Sequence, residues 1–517
     1  MEHSMRKLVI VLSSVLVSVS ALADVYVTPQ TPGGLEEVLR SIWYSGETIY
    51  LEAGEYTLDS PVLVENGISI VGSGPDSCAV ICDGASFVMS FESGLGGVVL
   101  TGVAFRHTGS KPADVVLADV DSLRISDCTF EGAVTQSGST SVAVGLQIGG
   151  DTRATIQSCR ISGNDGFGIL VHGQAAAAVI DSICVGNARN GITAVEDTMV
   201  MLYGNTCTEN AAFGILYQGT ASGTATGNDC SHNLVGIAVA GRATPTLRHN
   251  ACSGNAWYGI GVAEEAAPIL ESNACNENDG YGIAYFDSSA GIGVGNHCAS
   301  NEHYGIYVTG TASPTLDGNT CEKNGWSGIA YLEAASGTAV GNECSGNANQ
   351  GIHIREQASP TLESNTCTGN GKNGIAVADQ AMAMLASNLC RENSWAGIGY
   401  YGSAAGTATG NECSGNAIHG IAVAEQASPR LESNVCEENA DCGITYEGTA
   451  LGIATGNECI GNEQAGIYVA AQATPTLESN LCTGNQYGVY ILQSASPSLQ
   501  ANICYDNSIE DVHDERR

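Results

Sequence analysis

The chain has 517 residues, with 54 Asp plus Glu against 18 Lys plus Arg and a net charge of −36 at pH 7. A field of that sign repels phosphate backbones and anionic lipid, which excludes nucleic acid and membrane surfaces as partners. With 66 Gly and only 6% aromatic residues, the composition suits narrow, turn-rich coils rather than one wide core.

Residues 1–23 read as a secretory signal peptide. Arg6 and Lys7 open it, an apolar run extends from Leu8 to Leu22, and Ala21-Leu22-Ala23 precede Asp24. Cleavage after Ala23 is expected, with a secreted or periplasmic mature protein. No later run is long and apolar enough to predict membrane insertion.

Residues 24–97 differ in texture from the rest of the chain and read as a cap with entry coils. Leu35, Val38, Leu39 and Ile42 have helical spacing, which predicts a short amphipathic capping helix. Such a cap shields the core and strand edges at the open end of a coil stack.

Residues 98–507 are repeats, irregular to about Arg160 and regular from Ile161. Fifteen cysteines, from Cys184 to Cys504, recur at intervals of 23 or 22 residues, all but Cys184 in an N-x-C-x-x-N setting. A fixed period of that length marks a solenoid. Within one unit, Ser359 to Ala381, short alternating runs at Thr361-Leu362, Asn365-Thr366-Cys367 and Gly374-Ile375-Ala376-Val377 are bounded by Gly, Asn, Ser or Pro. Three short strands per coil of about 23 residues describe an all-β, single-stranded parallel β-helix. Residues 508–517 read as a polar C-terminal tail.

Several columns have physical roles. The Asn residues are expected at turns in left-handed geometry, laddered by donating to the next coil and accepting from the previous one. The Gly before each Ile is expected at a turn with positive φ or at a close backbone approach. Two further positions vary together. Val262, Ile354, Val423 and Val469 accompany Leu270, Leu362, Leu431 and Leu477, whereas Tyr217, Tyr285, Tyr331, Tyr400 and Tyr446 accompany Ala225, Gly293, Ala339, Ala408 and Ala454. Large against small and medium against medium conserves volume, so these positions face each other in the core.

The units, with N-x-C-x-x-N, G-I-x-V and A-S-P-T-L-x-x-N, resemble the right-handed parallel β-helix repeat family from Val98 to Asn507. That family spans pectin-lyase-like enzymes, NosD-like periplasmic proteins, alginate epimerases and the carbohydrate-binding repeats of certain F-box proteins. The alternation of SPTLESN with SGTAVGN units is most similar to the last. The resemblance implies a right-handed coil and a glycan-facing role. The Asp-Pro-His-Asp motif of the epimerases is absent, as is the Asn-Thr-Asp, Asp-Asp, Gly-His-Gly set of polygalacturonases.

The in-register cysteines read first as buried thiols acting as small hydrophobes. Disulfides between neighbouring coils and a soft-metal column such as Cu(I) are the alternatives. Cys78 and Cys82 lie outside the register and are the disulfide candidates; Cys442 is the candidate reactive thiol. Acidic residues recur four positions after the Gly-Ile isoleucine. Glu333, Glu356 and Asp379 do so in consecutive coils, where Ca²⁺ is the cation such a line would take and a solvated edge is the plainer reading. No other cofactor is expected.

His353, Arg355 and Glu356 form the sharpest polar cluster and are the catalytic candidates for a lyase, hydrolase or epimerase. Trp257, Tyr258, Tyr281, His303, Tyr304 and Trp326, over four successive coils, read as an exposed strip for stacking sugars. Together these readings describe an exported, monomeric protein that recognises polysaccharide or surface glycan without catalysis. A polysaccharide-active enzyme and a structural or adhesive rod are the alternatives.

Overall fold

A computed structural model describes residues 24–42, 45–138 and 141–516. The expected signal peptide, 1–23, lies outside them. The chain forms two compact units, 1–211 and 212–517. Both are stacks of coils whose short strands pair in parallel with their equivalents one coil on. Among the described residues there is one helix, and none is long and apolar enough to cross a membrane.

In the first unit that helix, α1, spans Gly34–Arg40. It buries Leu35 and Leu39 and packs against the strands Gly54–Leu58 and Val62–Val64. The Glu36 carboxylate fastens it, accepting from Arg40, from the Ser60 hydroxyl and from the Asp59 N–H. A six-stranded parallel sheet runs through this unit, with one inward column of Tyr56, Val80, Phe105, Phe130, Ile161 and Cys184. The first register cysteine thus continues a column of apolar residues. The cysteines form no disulfides among the described residues, and all but Cys504 are buried.

The disulfide candidates Cys78 and Cys82 are both free, and they cannot pair with each other. Both lie on the single strand Cys78–Cys82. Four residues of extended chain separate their Cα atoms by roughly 13 Å, about twice what a disulfide spans.

In the second unit the coils from Tyr281 onward carry three short strands, as in Ile306–Val308, Thr315–Asp317 and Thr320–Glu322, whereas the earlier ones carry two and an isolated bridge at the third position. The third strands form a ten-stranded sheet from His297–Ala299 to Ile503–Tyr505, and it aligns Cys298 with Cys321, Cys344 and so on to Cys504. Within one coil Ile306, Val308, Ala312, Leu316, Asn319, Cys321 and Asn324 are buried. The five tyrosines Tyr217, Tyr285, Tyr331, Tyr400 and Tyr446 are among the largest fully buried side chains, as their covariation with small partners requires.

Two Asn ladders run along this core. Each Asn accepts, at one Oδ1, both the backbone N–H and the side-chain amide of the Asn one coil back. Asn319, for example, donates to Asn342 at 2.9 Å from its N–H and 2.8 Å from its Nδ2. The same Nδ2 also donates back to the Gly293 carbonyl at 2.9 Å. The ladder direction is as expected, but the backbone is not. The left-handed residue is the one before each Asn, such as Ser272 (φ 54°), Glu277 (φ 55°) or Lys323 (φ 53°). That placement leaves the Asn side chain aimed inward. The Gly-Ile glycines serve close approach rather than positive φ. A Cβ on Gly282 would lie 2.6 Å from the Gly305 carbonyl oxygen.

The 508–517 segment, expected as a tail, supplies the strand Glu510–Asp514, which pairs with Tyr487–Ile491. Val512 aligned with Val489 continues the alternation that its many charges obscure in the sequence.

Candidate functional site

The candidate side chains outside the core lie on the Gly-Ile-x-Val strands of the second unit, as Tyr258, Tyr281 and His353 do, or in the turns that flank them. Parallel pairing there aligns one outward column through Ala284, Tyr307, Ala330, His353, Ala376, Gly399, Ala422, Thr445, Tyr468 and Tyr490. Where the column is Ala or Gly it forms a floor. Ala284 and Ala330 point outward yet are wholly buried, because larger neighbours close over them.

At one end lies an aromatic cluster. Tyr258 stacks on Tyr281 with centroids 5.3 Å apart and planes 3° from parallel; Tyr281 meets Tyr307 at 4.5 Å, and Tyr307 stacks on Tyr304 at 5.4 Å. Phe286 closes against Tyr258 and Tyr307. Trp257, His303 and Trp326 form its rim, with His303 4.4 Å from Trp326. The structure therefore brings together all six residues predicted for the strip, but not as an evenly exposed one. Trp257 and Trp326 are 54% and 42% exposed, Tyr258, Tyr281 and His303 are half-buried, and Tyr304 is 8% exposed. Gly280 interrupts the Trp257–His303 row, and the gap opens a cleft of about 220 Å³ lined by Trp257, Tyr258, Asp279, Tyr281 and His303.

Tyr307 and Phe286 were missed by sequence reasoning. The signal was present: Tyr307 sits where the neighbouring coils carry Ala, on the same strand alternation that places Tyr285 inside.

The polar cluster comes next along the face. Arg355 Nε donates to Asp379 Oδ2 at 3.0 Å, and the same oxygen accepts the Glu356 N–H at 3.2 Å. Glu356 in turn accepts the Glu333 N–H at 2.7 Å, and Glu333 accepts the Gly310 N–H at 2.9 Å. The three carboxylates do run in a line. Each caps a backbone N–H one coil back, from a left-handed position (φ 57°, 60° and 62°) shared with Gly310 and Gly402. Burial tends to raise the Asp379 carboxyl, but its bonds to Arg355 and the Glu356 N–H outweigh this and hold it below the usual range. His353 is half-buried. Burial first, then Arg355 and Lys372, push its imidazole down to about 4, so it is neutral at physiological pH.

The far end carries residues the sequence did not assemble. His419, Asp441, Cys442 and Glu447, with Tyr468, Tyr487 and Tyr490, line a cleft of about 530 Å³. His419 Nδ1 lies 3.7 Å from Asp441 Oδ2, and the Cys442 thiol donates to Asp441 Oδ1 at 3.3 Å. Cys442 is not the reactive thiol expected. It is 4% exposed, and burial followed by the Asp441 charge pushes its thiol well up. His419 and Cys442 sit one coil apart in the column that holds Tyr258 and Tyr281. No spacing motif within one repeat relates them, so only coil register reveals the group.

Comparison with known proteins places the architecture. The family model described as "Right handed beta helix region" matches overlapping segments from 113 to 513. The chain belongs to the right-handed β-helix family. Among solved structures it is similar to the periplasmic alginate epimerase AlgG, at 11% identity over 95% of this chain and 84% of that one, with a TM-score of 0.29. It is also similar to pectate lyase Pel9A, at 14% identity over 59% and 77% of the two chains and a TM-score of 0.35. The Azotobacter vinelandii mannuronan C-5 epimerase AlgE4 A-module shows 14% identity over 82% and 96%, with a TM-score of 0.26. None of the curated proteins compared matches the chain.

Proposed function

We propose that this right-handed β-helix protein is exported, with cleavage after Ala23, and binds a polysaccharide along the outer face of its second unit as a monomer. The observation that carries the reading is the aromatic cluster from Tyr258 to Trp326. Flat rings rimmed by polar groups suit the apolar faces and hydroxyl edges of sugars. An aromatic cluster of this size on an outer face, with Trp257 and Trp326 more than two-fifths exposed, supports that reading.

The binding role is favoured over catalysis by the state of the polar cluster. Asp379 is tied to Arg355 and Glu356 caps a backbone N–H, so neither carboxylate is poised as a base or nucleophile. The test is a glycan-array screen of the mature protein, with mass analysis of whatever sugar is retained. Intact sugar is the expected result. Shortened or unsaturated sugar overturns the non-catalytic role, and no retention leaves a structural rod as the better account.

A further inference from the structure

The His419–Asp441–Cys442 group is unlike any other on this face. Its three ligand-type atoms all lie within 4.8 Å of one another, the one such His/Cys/Asp/Glu group among the described residues. Neighbouring side chains in solenoids often share a column by repetition, yet these three are of different chemical types and come from two coils. We infer that His419 Nδ1, the Asp441 carboxylate and Cys442 Sγ form a binding site for a borderline transition-metal ion of the Zn²⁺ class.

Three observations support this assignment. The first is spacing. Ligands held about 2.0–2.3 Å from a tetrahedral ion lie roughly 3.3–3.8 Å from each other. His419 Nδ1 lies 3.7 Å from Asp441 Oδ2 and Cys442 Sγ lies 3.3 Å from Asp441 Oδ1, both within that range, and the remaining pair is no more than 4.8 Å apart. The second is a ring nitrogen without a partner, which offers a metal its lone pair when the ring proton sits on Nε2. His419 Nδ1 is buried and has no hydrogen-bond partner, and its side chain is 16% exposed. A buried imidazole nitrogen without a partner loses free energy unless something occupies it. An ion there would relieve this.

The third is access. The group opens onto the 530 Å³ cleft, and Glu447, Gln464 and Tyr487 line the same space. Three protein ligands leave a fourth position, which water or a ligand in the cleft would fill. The mixed N, O and S set disfavours Ca²⁺ and Mg²⁺, which take oxygen, and fits Zn²⁺ best among common ions. On binding, the metal replaces the thiol proton now shared with Asp441, and that proton passes to solvent.

This site is independent of the aromatic cluster, and so is its test. Tag-free mature protein is titrated with Zn²⁺ by calorimetry and with Co²⁺ by absorption, in the wild type and in three variants. The wild type is expected to take one equivalent, with Co²⁺ giving tetrahedral visible bands and a thiolate charge-transfer band in the near ultraviolet. His419→Gln is expected to weaken Zn²⁺ at least about a hundredfold. Cys442→Ser should remove the charge-transfer band. Asp441→Asn alters a side chain that is 41% exposed, so it keeps the test open if a buried variant misfolds. No tight equivalent in the wild type overturns the inference. So does a thiolate band that survives in Cys442→Ser, which would place the ion on the other cysteines.

Discussion

A Cβ added to Gly293 would lie 3.2 Å from the Tyr285 hydroxyl. The two residues therefore face each other across one coil, eight positions apart in sequence. With Tyr at one position, the coil closes because the other is the smallest residue.

Gly293→Leu should overpack this coil and destabilise it by about 1–3 kcal/mol. Tyr285→Val should leave a cavity of similar consequence. Combined, they recreate the Val262–Leu270 pairing found one coil earlier, and most of the loss should be recovered. Urea midpoints of the two single variants and the double variant check this, and losses that simply add would refute the facing arrangement.

The hydroxyls of Tyr285, Tyr331, Tyr400 and Tyr446 are buried without a hydrogen-bond partner. Leaving such a group unpaired costs about 1–3 kcal/mol. Tyr331→Phe should therefore raise stability by about 1 kcal/mol, read as a higher thermal midpoint. A lower midpoint would mean that the hydroxyl has an ordered partner in the core.

His353 titrates near 4 in the folded chain, well below its ordinary value of 6.5. The unfolded state thus binds the proton first as pH falls. The stability tied to the neutral ring is complete above about 6.5 and is lost as pH drops towards 4. Thermal midpoints across this window should fall less in His353→Gln than in the wild type. An imidazole titration by NMR near 6.5 would contradict the account.

The Glu333–Glu356–Asp379 line should need no cation, since each carboxylate already accepts a backbone N–H and Asp379 also holds Arg355. Millimolar Ca²⁺ should shift the thermal midpoint by no more than about 1 °C, on the scale where a site bound at a hundred times its Kd adds about 2.7 kcal/mol. A shift of several degrees would restore the reading of this line as a Ca²⁺ site. Glu356→Gly should be tolerated, because Gly310 and Gly402 fill the same left-handed position.

Much of the fold was legible because a solenoid repeats its physics every coil. The Cys column, the Asn ladders and the Tyr–small pairs each recur often enough for register to be counted from the sequence. What escaped depends on contacts between coils. The acidic column reads as a solvated edge or a cation site until the N–H that each carboxylate caps is seen. Left-handed geometry belongs to Ser272 and Lys323 rather than to the Asn beside them, because the ladder needs its side chains turned inward. The pairing of His419 with Cys442 escapes a sequence reading, since their separation of 23 residues hides their adjacency in the stack.

The central claim is that the aromatic face binds sugar, and titration calorimetry with the best array glycan tests it most directly. Wild type, Trp257→Ala combined with Trp326→Ala, and Met382→Ala as an exposed control on a different strand would be compared. Binding should weaken about tenfold or more in the double variant and stay unchanged in the control. Equal affinity in all three would contradict the account and move the ligand off this face.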